Sequence, residues 1–283
     1  MNAMCVSDQV KITSNGLLAK ITAHIEELAQ ATDAARVSEE MLRYLEACAR
    51  FHKYSSFNMW LILMSKPSAT AVAGFHKWQS LNRYVKKGEH GIPILAPMIV
   101  NKDGDKLKDD KVLVGFKVVY VFDVTQTDGD PIPEPPEWKS LEINAILKDR
   151  LIKFAGSRGI SVFEKRLERD VQGVSRGGAI DLSPTAGTAT LIHEIAHELL
   201  HQGSDRTVSA SIRELEAESV AFVVARHFNL TNTRSSPNYV ALHGADSKAI
   251  LDHLERIRKT ATEIITELEP DSRTSWNNIS TYR

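Results

Sequence analysis

Residues 191–200 read Leu-Ile-His-Glu-Ile-Ala-His-Glu-Leu-Leu, and no other stretch of the chain narrows its possible structure so far. Leu191, Ile192, Ile195, Ala196, Leu199 and Leu200 favour a largely buried helix. On a helix, residues four apart share a face, so His193 and His197 aim both imidazoles at one point. Two imidazoles at that spacing grip one zinc ion, and Glu194 reaches a water on that metal. Such a water loses its proton near neutral pH, and a neighbouring carboxylate can take that proton and return it. The bland alternative is a surface helix that carries two His and a Glu by accident. Chance produces the pattern about 0.02 times in a chain of this composition. Burial also weighs against accident, because His and Glu taken out of water need partners, and a metal supplies them. The chemistry implied is that of a metal-dependent peptidase.

A catalytic zinc takes three protein ligands. His201 lies two turns beyond His193, about 12 Å along the helix, too far to share one ion. The longer pattern HExxHxxGxxH fails as well, with Leu200 in place of its Gly and Gly203 in place of its last His. The next acidic segment, Arg213 to Ala225, reads as a second helix. Eighteen residues separate His197 from Glu216, which resembles the gluzincin pattern HExxH-x18-E. Glu216 is therefore the expected third ligand, with Glu214 and Glu218 as rivals on other helix faces. Upstream, Gly177 to Leu182 reads as an edge strand that could pair with an extended substrate. Downstream, Tyr239 is a candidate donor to a developing oxyanion, although a Tyr in a core or on a surface is the commoner case.

The wider composition excludes several classes. The 283 residues suit two domains, and 42% apolar content supports an ordinary globular core. A net charge of −1 argues against a chain that is a polyanion binder throughout. Cys5 and Cys48 form neither a zinc nor a disulfide pattern, which points to a reducing compartment. There is no signal-peptide pattern and no apolar run near the ~20 residues that a membrane span needs. A cytoplasmic protein without a membrane partner is the expectation.

Thr127 to Glu137 holds four Pro and a Gly among acidic residues, and residues before Pro are pushed out of helical geometry. It reads as a linker over 127–138, dividing a domain at 1–126 from one at 139–283. Ahead of it, helical periodicity covers 16–30, 36–52 and 56–64. Two β-branched, aromatic runs at 92–100 and 112–122 flank the turn-like Lys102-Asp103-Gly104-Asp105. After it, a helix near 139–157 leads to short strands and the two motif helices. Both halves are α+β.

Charge is uneven. Between Arg50 and Val100 seven bases face one acid, Glu89, and aromatic residues lie among them. Bases that track phosphates and aromatic faces that stack on nucleobases are what single-strand binding requires. Aromatics at helical spacing are, however, more often core, and Phe57 and Trp60 read that way. Lys86-Lys87-Gly88 reads as an exposed basic turn.

The residues Tyr54-Ser55, Asn58, Pro67 to Phe75, Trp78, Leu81, Arg83, Val85 to Glu89, Gly91-Ile92 and Ile94 to Pro97, with Val118 to Thr127, resemble the N-terminal domain of ArdC-type antirestriction proteins. The HExxH region resembles the zincin-like metallopeptidase domain that follows it in that family. The resemblance implies a small N-terminal α+β domain that binds single-stranded DNA, then a gluzincin-like domain, in a mobile-element protein that guards incoming DNA against restriction. It implies His193, His197 and Glu216 as ligands and Glu194 as base. For DNA it points to Lys77, Trp78, Arg83, Lys86 and Lys87, to which the basic, aromatic segment adds Lys53 and Tyr54. Asn82 departs from the family, which commonly has Gly before Arg83. Zinc is the expected metal, with manganese or cobalt also suited to His/His/Glu. The expected partners are single-stranded DNA and an unknown protein or peptide substrate. Two other readings stay open: a DNA shield whose metal site does no proteolysis, and a DNA-dependent protease acting on DNA-bound proteins or a repressor.

Overall fold

The computed structural model describes residues 12–31, 34–101, 111–132, 141–168, 170–202, 208–230 and 246–269. Helix α1 (Ser14–Gln30) starts at Thr13, whose hydroxyl accepts from the Gly16 amide at 3.1 Å, and buries Leu17, Ile21, Ile25 and Leu28 as one stripe. Helices α2 (Ala34–Phe51) and α3 (Ser56–Ser65) follow, the latter capped by Ser55. Strand β1 (Val72–Gly74), the short α4 (Phe75–Ser80) and β2 (Arg83–Val85) lead to a long ribbon of β3 (Ile92–Asn101) and β4 (Lys111–Asp123). These strands make an antiparallel sheet in the order β1-β4-β3. A register shift between Met98 and Ile99 falls opposite Gly115, as a bulge requires. Asn58 docks α3 on the ribbon by exchanging two 2.8 Å hydrogen bonds with the backbone of Leu95. Buried Asp123 accepts from the amides of Thr70, Ala71 and Thr125 and so closes the sheet's end.

The second half begins with α5 (Leu141–Ser157). It continues through β6 (Ser161–Glu164), β7 (Gly173–Ser175) and β8 (Ala179–Leu182), which form a sheet in the order β6-β8-β7. Helices α6 (Thr188–His201), α7 (Ala210–His227) and α8 (Ser247–Leu268) complete it. Leu191, Ile192, Ile195 and Ala196 of α6 are fully buried. The apolar cluster of the first half is continuous with that of the second. Polar contacts join the halves too: His227 Nδ1 donates to Ala49 O at 2.8 Å and the Thr262 hydroxyl to His52 O at 2.8 Å. Arg258 donates to Tyr54 O at 3.3 Å. Truncating one of the fully buried Ile or Leu residues here to Ala costs about 2–5 kcal/mol.

The α+β class follows directly from this element order. Two local expectations need correction. Thr127–Gly129, read as the start of a linker, is a strand, β5, antiparallel to β2; the acid- and Gly-rich composition hid a pairing set by distant residues. The strand expected at an edge, β8, is instead the central strand, and β7 lies at the edge. Residues 133–138 of the expected linker and the turn at 102–105 lie outside the described residues.

Candidate metal centre

Helix α6 aims His193 and His197 at one point, with their Nε2 atoms 3.0 Å apart. From α7, Glu214 brings Oε2 to 3.6 Å from His193 Nε2 and Oε1 to 3.4 Å from His197 Nε2. One ligand atom from each of the three lies within 4.8 Å of the others. A tetrahedral ion with ligands at about 2.0–2.1 Å needs ligand–ligand separations of about 3.3 Å, so this donor set fits a divalent cation. Hydrogen bonding to His193 and His197 holds the Glu214 carboxyl well below its usual range, leaving it an anion throughout the neutral region.

The structure thus brings Glu214, rather than Glu216, to the two imidazoles. Two positions on a helix are about 200° apart, so only one of them can face α6. Glu216 is fully buried on the α8 side, where its Oε1 accepts from His253 Nδ1 at 2.7 Å. Arg256 and His201 sit 3.5 and 3.6 Å from its Oε2. Arg256 also donates to Leu200 O at 3.0 Å, which ties α8 to α6. His201 is a neighbour of the site; its Nε2 donates to Arg213 O at 3.2 Å. Burial lowers its pKa, an effect that Glu216 only partly opposes.

Glu194 is buried beside the triad. Its side chain lies against Gly173 of β7, where an added Cβ would fall 2.7 Å from Glu194 Cγ and 2.8 Å from Oε1. Gly173 is therefore required for this approach. Glu198, one turn along α6, clamps the turn after β7. Its carboxylate accepts from the Ser175 hydroxyl at 2.6 Å and from the amides of Arg176, Gly177 and Gly178 at 2.9, 2.8 and 2.5 Å. Burial pushes this carboxyl up, but those four donors outweigh it and leave the pKa lowered. The acidic residues of the motif region thus divide the work: Glu214 faces the ligand point, Glu194 stands beside it and Glu198 holds the edge strand. Sequence reasoning missed Gly173 and Glu198, although the second carboxylate of His-Glu-Ile-Ala-His-Glu was in plain view.

A polar cavity of about 680 Å³ opens over the triad between β7, the end of α6 and the start of α7. A base at Glu194 and a cation at the triad would share it with a substrate. Tyr239 lies outside the described residues.

The expected DNA contacts divide. Trp78 is fully buried and donates through Nε1 to Phe122 O at 2.9 Å, and buried Tyr54 donates to Val72 O at 3.3 Å; neither ring is open to a base. Arg83 spends its guanidinium on Thr127 Oγ1 and O and on the carbonyls of Gly129 and Asp130, pinning β2 to β5. Lys53 is half-buried, which lowers its pKa. Lys77 is partly buried and Lys87 exposed, while Lys86 donates to Thr125 O at 3.0 Å and lies 3.6 Å from Asp128. Of the aromatics interleaved with the bases of this segment, Phe75 and Tyr84 are exposed. Asn82, the departure from the family, sits at φ 54°, a left-handed conformation that Asn tolerates better than most residues. Its Nδ2 donates to Asp130 Oδ2 at 3.1 Å.

Comparison with known proteins gives three findings. An uncharacterized protein of Bacillus anthracis, pXO2-81, is 23% identical over 82% of this chain. The chain spans about half (48%) of that relative's length. Two solved structures of the antirestriction ArdC protein from the R388 plasmid, one metal-free and one Mn(II)-bound, are each 18% identical to this chain. They align with TM-scores of 0.45 and 0.44, covering 84% and 82% of this chain and 96% and 99% of theirs. Among the described residues no helix is long and apolar enough to cross a membrane. The model of the N-terminal domain of anti-restriction factor ArdC matches residues 11–124, so the first part of the chain is similar to that domain.

Proposed function

We propose that this protein is an antirestriction factor in which a single-strand-binding N-terminal domain, 1–126, is coupled to a divalent-metal-dependent peptidase domain, 139–283. The observation that carries the peptidase reading is the set His193, His197 and Glu214, with donor atoms within 4.8 Å of one another and Glu194 buried beside it at an open cavity. A divalent cation held there, with zinc the first candidate and manganese or cobalt suited to the same donors, would polarise a carbonyl and acidify a water. Glu194 would take the proton of that water and deliver it to the leaving amine. Gly173 leaves Glu194 room at the edge strand, and Glu198 fixes the turn that carries that strand. Glu216 and His253 lock the rotation of α7 that turns Glu214 toward the histidines.

Single-stranded DNA is the proposed partner of the N-terminal domain, in keeping with its similarity to the ArdC N-terminal domain. Lys77, Lys86 and Lys87 supply charge, and exposed Tyr84 and Phe75 supply stacking faces. Arg83, Trp78 and Tyr54 support this face from within.

The test compares wild type with Glu194→Ala for bound metal and for casein cleavage, with and without single-stranded DNA. Metal in both proteins, with DNA-stimulated cleavage in the wild type alone, supports the reading. Metal and tight DNA binding without cleavage in either protein would replace it with a DNA shield.

A further inference from the structure

The cavity over the triad has an unusual wall for a site that would hold a peptide side chain. Among its described lining residues the aliphatic side chains are Val171 and Val174, and none is Phe, Tyr or Trp. The rest of the wall is glycine or polar, including Gln172, Ser175 and Gln202. A large apolar side chain placed here would strip water from these groups and return no hydrogen bonds, which is costly.

Setting aside the three ligands and Glu194, the charged residues among the described lining are Arg213 and Asp170. Asp170 is exposed on the loop ahead of β7. Arg213 is on the first turn of α7, directly before Glu214, and is half-buried. Its Nη1 donates to Val208 O at 2.7 Å, which fixes the head group without using up its five donors. Its own carbonyl accepts from His201, so the backbone beneath it is held as well. A guanidinium anchored in this way offers a planar fork matched to a carboxylate.

We infer that Arg213 is a specificity-determining residue that selects substrates bearing a carboxylate next to the bond to be cut, from an Asp or Glu side chain or from a chain terminus. This rests on the peptidase reading of the same site. The pairing is across an open, wet cavity, so its effect on affinity is modest and falls with added salt. Its effect on choice between substrates is larger, because a neutral amide or a lysine in the same place leaves the guanidinium unpaired or repelled.

The experiment measures binding by calorimetry to full-length Glu194→Gln protein loaded with zinc, so that no turnover intervenes. The probes are blocked pentapeptides, Ala-Ala-X-Ala-Ala, with X as Asp, Asn, Leu or Lys, and an Ala-only peptide with a free C-terminal carboxylate. We expect the Asp or the free-acid peptide to bind about tenfold tighter than the Asn peptide, with Leu and Lys weaker still. Preference for the Asp peptide assigns an internal acidic residue, and preference for the free acid assigns a terminus. In Glu194→Gln/Arg213→Gln the gap should close while zinc stoichiometry is unchanged, and Arg213→Lys should keep part of it. Equal or tighter binding of the Leu or Lys peptide, or a gap that survives Arg213→Gln, would overturn the inference. If peptides bind and wild type cleaves them without an acidic preference, Arg213 selectivity alone fails. If zinc binds but no peptide is bound or cleaved, the peptidase reading fails and this inference with it.

Discussion

Gly173 and Glu194 are in contact across the site, and the contact leaves no room for a methyl group. A Cβ at Gly173 would come within 2.7 Å of the Glu194 side chain, so one of the two must move. We expect Gly173→Ala to retain metal, because the atoms nearest an added methyl all belong to Glu194, and to lower kcat by about 10- to 100-fold through displacement of the base. Unchanged kcat in a metal-loaded Gly173→Ala protein would show that the position of Glu194 is not critical. Residue-scale chemistry of this kind was half legible in the sequence. His193, Glu194 and His197 announce themselves by spacing. Gly173 lies twenty residues upstream in an unremarkable segment and becomes meaningful only once β7 is seen against α6.

At the scale of elements, helices α1, α2, α3, α5 and α7 and the β3–β4 ribbon were readable because their apolar periodicity is strong, and their observed bounds fall within a few residues of the expected ones, whereas α8 was not assigned. The three-residue strands β1, β2, β5 and β7 were not, since no periodicity develops over so short a length and their pairing is set by partners far along the chain. The rotation of α7 was also beyond reach. Counting residues from His197 to Glu216 measures the connection, but which face of α7 meets α6 depends on packing against α8. There His253 and Arg256 engage Glu216 and leave Glu214 to the histidines. Two of the expected DNA contacts turn inward for a related reason. Trp78 and Arg83 fit the expected composition of a binding face, yet folding draws both inward to satisfy the backbone of β4 and β5.

For the whole molecule, the first and second halves share a core whose seam contains a buried histidine. His52 is 2% exposed, and its ring nitrogens have no hydrogen-bond partner among the described residues. Burial, then His227, Lys53 and Arg258, lower its pKa to about 2. The unfolded chain therefore binds a proton near pH 6.5 that the folded chain does not. Neutral His52 makes its full contribution above about pH 6.5, and stability is lost as pH falls from there toward 2, by up to about 1.4 kcal/mol per pH unit. Replacing His52 with Phe should flatten the pH dependence of the urea midpoint between pH 6 and 4 by about one proton's worth. An unchanged slope would mean that His52 is protonated in the folded protein, against its burial in the seam.

The central claim is that the chain assembles a metal site from His193, His197 and Glu214, and metal binding of the full-length protein tests it without reference to any substrate. Zinc stoichiometry and affinity should be compared in wild type, Glu214→Gln and Glu216→Gln, with circular dichroism to verify folding. Glu214→Gln should weaken zinc binding by more than about tenfold, and folded Glu216→Gln should hold zinc close to the wild-type level. Loss of zinc from a folded Glu216→Gln protein, with full binding by Glu214→Gln, would contradict the account.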